Sequence, residues 1–173
     1  MNNGKEFELY FKRYYTSLGM YVMRICRDTN EAEDIVQETY SIAWEKFADS
    51  KLPEHFRSYL YRVAHNLTID RLRSNSLENP DITIDNIKDL EPTEEAIDTS
   101  ERDAKLWIAI SKLPQRCREV FLLSKRDGLS NAEIAKELGI SIKTVENQIT
   151  KAFKSLRHAL EPAKSKIFFL PFL

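Results

Sequence analysis

The stretch that most restricts the fold is residues 129–160, LSNAEIAKELGISIKTVENQITKAFKSLRHAL, which reads as a short helix, a tight turn and a longer helix. Ser130 can cap the first helix while Glu133, three residues on, reaches back to the cap amide and completes a capping box. Gly139 stands after Leu138, where a left-handed residue ends a helix most easily, and Ser141 is placed to cap the next one. In the second helix Ile142, Val145, Ile149, Ala152, Phe153, Leu156 and Leu160 recur at three- and four-residue steps, so they form one apolar stripe. Opposite it lie Lys143, Glu146, Asn147, Thr150, Lys151, Lys154 and Arg157, which mix phosphate-holding cations with groups able to bond base edges. The pattern predicts a helix-turn-helix whose second helix enters a DNA major groove. A helical hairpin with a solvated charged face is the plainer alternative.

The same helical period runs through the start of the chain. Phe7, Tyr10, Phe11, Tyr14, Leu18, Tyr21, Val22 and Ile25 predict one amphipathic helix. Ala32, Ile35, Val36, Thr39, Tyr40, Ala43, Trp44 and Phe47 predict a second. Between them Asp28, Thr29 and Asn30 supply turn and cap chemistry, with Glu33 three residues beyond Asn30, and so short a break makes the pair pack antiparallel. Asp49, Ser50 and Pro53 interrupt the period before a third helix carrying Phe56, Leu60, Val63, Ala64, Leu67 and Leu72. These three helices make one N-terminal domain, residues 1–75. From Glu101 the period returns through Ala104, Trp107, Ile108 and Ile110, stops near Pro114, and resumes in Val120, Phe121 and Leu123. Residues 101–163 are therefore a second helical domain containing the helix-turn-helix. The expected fold is all-α, with two small helical domains.

Charge separates the domains further. A formal net charge of -1 over 173 residues conceals a segment, residues 76–103, with ten Asp or Glu against two basic residues. Residues 76–100 also contain Pro80 and Pro92 and lack either helical or alternating periodicity, so they read as an acidic linker, able to reach at most about 80 Å. Residues 104–173 carry thirteen basic against six acidic residues, a balance that suits a polyanion partner. Cys26 and Cys117 stand alone, with no CxxC pair and no His at ligand spacing, which argues against a disulfide framework or a zinc site. His55, His65 and His158 lie apart, and no nucleophile, phosphate loop or paired acids accompany them, so neither an enzyme nor a cofactor is expected. No leader-like start and no apolar run of about twenty residues is present, which predicts a cytoplasmic protein that does not span a membrane. The apolar tail, residues 164–173, is expected to pack on the second domain or to offer a docking strip to an inhibitory partner.

Two further faces carry polar chemistry. Glu31, Asp34, Gln37, Glu38 and Ser41 fall opposite the apolar stripe of the second helix and form an acidic ridge on which another helix could dock, or a merely solvated face. On the third helix Tyr59, Arg62, Asn66, Asp70 and Arg73 share a face, with Arg57, Tyr61, His65 and Arg71 nearby. Rings on which an extruded base can stack are interleaved there with phosphate-binding cations, although Tyr59 or Tyr61 could instead belong to the core.

Three stretches, AEDIVQETYSIAWEKF (32–47), FRSYLYRVAHNLTIDRLR (56–73) and LPQRCREVFLLSKRDGLSNAEIAKELGISIKTVENQI (113–149), give the chain a specific resemblance. In this order, across an acidic linker, it resembles the bacterial RNA polymerase sigma factors of the extracytoplasmic-function (ECF) group, which keep only conserved regions 2 and 4. The resemblance implies a promoter-specificity subunit that binds core RNA polymerase and reads the -10 and -35 elements of promoter DNA. Residues Glu31, Asp34, Gln37, Glu38 and Ser41 would meet the clamp helices of the largest polymerase subunit. The loop at residues 48–55 and the third helix would recognise and open the -10 element, through Ser50, Lys51, Arg57, Tyr59, Arg62, His65, Asn66 and Arg73. In that loop Ser50, Lys51 and Leu52 stand where relatives carry an aromatic residue. Lys143, Thr144, Glu146, Asn147, Thr150, Lys151 and Lys154 would read or flank the -35 element, and Glu146 stands where some relatives have Arg. An anti-sigma factor, often a membrane protein, is the implied regulator. The competing readings are a dimeric regulator with a response-regulator type of helix-turn-helix, for which the three-helix start supplies no receiver domain, and a helical scaffold whose basic face meets acidic proteins.

Overall fold

The computed structural model describes residues 3–78 and 91–160, and the described residues are helical with no strand. The elements are α1 (Asn3–Cys26), α2 (Thr29–Phe47), α3 (Phe56–Glu78), α4 (Glu94–Ser111), α5 (Gln115–Lys125), α6 (Asn131–Leu138) and α7 (Ile142–Leu160). They fall into two compact units, Met1–Ala104 and Lys105–Leu173. The apolar tail at residues 164–173 lies outside the described residues.

In the first unit α1, α2 and α3 pack on one another. The turn between α1 and α2 is closed by Arg27 in the left-handed region, φ 58°, and by Asp28, whose carboxylate accepts the Glu31 amide at 2.8 Å. Asp28 is thus the cap of α2, two residues before the Asn30 arrangement considered from the sequence. Leu18, Val22, Ile35, Val36, Phe56, Leu60, Tyr61 and Ala64 form the core, each nearly or wholly excluded from solvent. Thr39 and Thr68 lie fully buried among them because each hydroxyl donates to a carbonyl one turn back, Ile35 and Ala64, at 2.7 Å. Burial without such a bond would be costly.

The acidic segment is where the structure departs from the sequence expectation. Helix α3 continues to Glu78 and α4 begins at Glu94, seven residues before the predicted return of helical period at Glu101. Thr93 caps α4 by accepting the Ala96 amide at 3.2 Å, and Glu94 and Glu95 occupy the first turn, where the helix dipole favours negative charge. Ile97, Ser100 and Ala104 follow at three- and four-residue steps and are buried against the first unit. One large apolar residue among five acids left that period too faint to read. The division between units accordingly falls after Ala104 rather than at residue 100.

The second unit is built on α5, α6 and α7. Ala109, Ile110, Leu113, Cys117, Phe121, Ala152 and Leu156 form one core cluster, and Val120, Ile134, Ala135 and Val145 form another beneath the turn. The capping box is present: the Ser130 amide donates to Glu133 Oε2 at 2.8 Å, and Ser130 Oγ accepts the Glu133 amide at 3.4 Å. Gly139 closes α6 at φ 63°, and Ser141 Oγ accepts the Thr144 amide at 3.1 Å to open α7. Two residues of the expected α7 stripe lie at its margins, since Ile142 is 49% and Phe153 45% exposed. Phe153 still meets the edge of Phe121, with centroids 5.7 Å apart.

Candidate nucleic-acid interface

Helix α7 turns Lys143, Glu146, Asn147, Thr150, Lys151, Lys154 and Arg157 outward, all exposed, while Val145, Ala152 and Leu156 are buried beneath them. The burial of one stripe and the two caps fix this face. Lys143 leans 3.5 Å from Glu146, an exposed pair of little energetic weight. Lys151, Lys154 and Arg157 enter no ion pair among the described residues. Two threonines are partly committed within the helix. Thr150 Oγ1 donates to the Glu146 carbonyl at 2.8 Å, and Thr144 Oγ1 lies 2.8 Å from Ser141 Oγ in the cap. Thr150 keeps its acceptor capacity on the exposed face, whereas Thr144 serves first to start the helix.

Helix α3 divides the residues predicted for the -10 element. Arg62, Asn66 and Arg73 recur along one exposed face, with Asp70 3.7 Å from Arg73, and Ser50 and Lys51 are exposed in the preceding turn. Leu52 is buried, anchoring that turn to the core. The structure gives the other three different partners. Tyr59 packs half-buried against the ring of Phe47, centroids 5.2 Å apart, with Lys46 Nζ 4.9 Å above it. His65 is half-buried, its Nδ1 2.9 Å from Tyr21 Oη, and desolvation lowers its pKa from the ordinary 6.5. Arg57 faces α4, where Glu101, Glu94 and Asp98 accept from Nε, Nη1 and Nη2 at 2.6, 2.6 and 2.5 Å. Partial burial pulls the Arg57 pKa down, but the three carboxylates outweigh it and hold the guanidinium above its usual value. Arg57 falls on the covered line of Tyr61, Ala64, Thr68 and Leu72, and His65 lies beside it, whereas Tyr59 stands at the start of the Arg62–Asn66 face and is half-buried there by Phe47 of α2.

The ridge on α2 is likewise split. Asp34, Gln37 and Ser41 are exposed, but Glu38 pairs with Arg71 at 2.8 Å and Glu31 accepts from Asn75 at 3.4 Å, so α3 holds these two. Beside the exposed three stands a residue that sequence reasoning assigned to the core: Trp44 is 44% exposed, its ring supported edge-on by Phe7 at 5.1 Å. Its position at the margin of the apolar stripe is the signal that could have found it.

Two family models match the chain in the order the helices stand, sigma-70 region 2 over residues 10–78 and sigma-70 region 4 over residues 104–156. The ECF RNA polymerase sigma factor SigL of Mycobacterium tuberculosis is 34% identical over 152 residues, 83% of this chain and 82% of that protein. The chain belongs to the ECF group of RNA polymerase sigma factors. A probable RNA polymerase sigma factor, RfaY of Xanthomonas campestris, is also 34% identical, over 80% of this chain, although the chain spans only 36% of that longer protein. Among solved structures, CnrH in complex with the cytosolic domain of CnrY covers 91% of this chain and 88% of its own, with 25% identity and a TM-score of 0.36. The region 2 match covers α3 and the ridge on α2, and the region 4 match covers the helix-turn-helix. As an ECF sigma factor the chain directs RNA polymerase to specific promoters; the response-regulator and scaffold readings are not favoured. No described helix is long and apolar enough to cross a membrane.

Proposed function

We propose that the two units divide promoter recognition, with residues Asn147, Thr150 and Glu146 of α7 set against the base edges of duplex DNA at the -35 element, Lys151 against an adjacent phosphate, and Lys143, Lys154 and Arg157 against the flanking backbone. The observation that carries this is the exposed face of α7, cationic and amide-bearing, fixed by caps at both ends of the turn. Asn can pair bidentately with adenine, and Lys suits guanine or phosphate. On α3 the exposed Arg62, Asn66 and Arg73, with Ser50 and Lys51 in the turn before it, receive the -10 element in its melted form. Tyr59, packed on Phe47, lies at the start of that face, Arg57 and His65 stand behind it, and Thr144 supports α7 through its cap.

Core polymerase docks on α2 through Asp34, Gln37 and Ser41, with Glu31 and Glu38 held at the flank by α3 and Trp44 contributing an apolar anchor. Exposed aromatic residues beside polar ones are the usual hot spots of such contacts. The protein acts in the cytoplasm, catalyses nothing itself, and is controlled by an anti-sigma factor that masks these faces. The basic balance of residues 104–173 supports the duplex assignment. Gel-shift titration on promoter fragments, with and without sigma-free polymerase, tests the division. Replacing Asn147 by Ala should change which -35 sequences are bound, and replacing Asp34 and Gln37 by Ala should weaken polymerase binding while leaving duplex recognition by α7 intact.

A further inference from the structure

The contact between α3 and the first half of α4 uses more charge than any other packing contact among the described residues. Arg57 places one guanidinium among three carboxylates, Glu94, Asp98 and Glu101, and Ser58 Oγ lies 3.3 Å from Glu94 Oε1. A turn further on, Arg24 of α1 holds Asp103 at 2.5 Å. Residues 94–104 contain five acids, Glu94, Glu95, Asp98, Glu101 and Asp103, against one base, Arg102. Their only large buried apolar side chain is Ile97. The rest of the buried set is small, Ser100 and Ala104, and Ser100 donates back to its own helix at Ala96. By contrast, α1, α2 and α3 hold one another with a continuous aliphatic and aromatic core.

Two of the carboxylates on Arg57 are largely open to solvent, Glu94 at 69% and Asp98 at 63%. Ions screen such pairs readily, and another polyanion can replace them. The helix that they secure is also the one that continues as Lys105–Ser111 into the second unit, where Ala109 and Ile110 enter its core. While residues 94–104 stay on the first unit they are spent on packing; once released these eleven residues can span at most about 40 Å ahead of Lys105.

We propose that the first half of α4 is a releasable electrostatic latch, clasped by Arg57 and Arg24 in the free protein and opened when the protein engages polymerase and promoter DNA. It rests on the reading above that the two units address separate DNA elements and need chain between them. The carboxylates on Arg57 act as phosphate would, so the free protein satisfies this cation internally and promoter DNA competes for it. Only one large apolar residue must leave the core for the latch to open.

The test locks the latch covalently. In a full-length chain with Cys26→Ser and Cys117→Ser, Ser58→Cys and Glu94→Cys are joined by a short bismaleimide before mixing with sigma-free polymerase. Efficient crosslinking of the free protein is expected, falling severalfold in 1 M salt and in the added Arg57→Ala variant, while circular dichroism keeps its helical signal. The locked protein should lose most promoter-dependent transcription, and the same double-cysteine protein without crosslinker should retain it. A locked protein that initiates as well as the unlocked one overturns the latch, as does a free protein that fails to crosslink. If the unlocked protein gives no defined transcripts although its helical signal is intact, the sigma reading itself has failed instead.

Discussion

Asn147 and Lys151 stand one turn apart on the exposed face of α7, and their removal should have different consequences. Lys151→Ala or Lys154→Ala is expected to weaken binding to every duplex and to lower the slope of log affinity against log salt by about one, because a single phosphate contact is lost. Asn147→Ala should leave that slope nearly unchanged while costing about 1–3 kcal/mol only on sites carrying the preferred base. Fluorescence anisotropy over a salt series reads both. His65 makes a second prediction. Desolvation lowers its pKa below the ordinary 6.5, so the folded state favours the neutral ring. The stability this contributes is fully present above pH 6.5 and is lost as pH falls from there through the folded value. Denaturant midpoints measured from pH 7.5 down to about 5 should decline, and His65→Gln should make the decline shallower. Helical spacing puts Tyr59 on one face with Arg62 and Asn66, and Arg57 and His65 join them from the sequence only as neighbours with DNA-compatible chemistry. Which way each points depends on what covers the helix, and for Arg57 the cover is α4, distant in sequence and hidden by its own acidity.

At the scale of elements, the helix-turn-helix was the most legible part of the chain, since each of its boundaries is written in local chemistry. Ser130 and Glu133 start α6, Gly139 ends it and Ser141 starts α7. These signals act over three or four residues and need no knowledge of the rest of the fold. Ser130→Ala should therefore destabilise the second unit by about 0.5–2 kcal/mol, seen as a lower denaturation midpoint, with promoter affinity falling only as far as α7 loses order. Glu133 bonds the same serine, which lowers its pKa below the ordinary carboxylate value. Its contribution is present above that ordinary value and is lost in acid as the carboxylate protonates. Helix α4 shows the opposite case. Its start depends on Ile97 finding the core of the first unit, a long-range fact, and its acids made the segment look like a linker. Trp44 was misread for a related reason, because a residue at the edge of an apolar stripe can face either way.

For the whole molecule, two helical units were readable because the helical period lapses in the acidic segment between them and charge separates them. The position of the division was not readable, since α4 carries residues of both units. The face proposed for polymerase matters most, because a chain that only binds duplex DNA would be a different kind of regulator. Asp34, Gln37 and Ser41 project from α2, whose other side is locked into the core by Ile35, Val36 and Tyr40. The most direct measurement is run-off transcription from genomic promoter fragments by sigma-free polymerase supplemented with the purified protein, paired with its Asp34→Ala, Gln37→Ala, Ser41→Ala variant. The account predicts defined transcripts only with the unaltered protein, and a variant that still binds duplex promoter DNA through α7 but supports at most a small fraction of that transcription. Full transcription from the variant would contradict the assigned face, and duplex binding by the unaltered protein with no transcription and no association with polymerase would contradict the account as a whole.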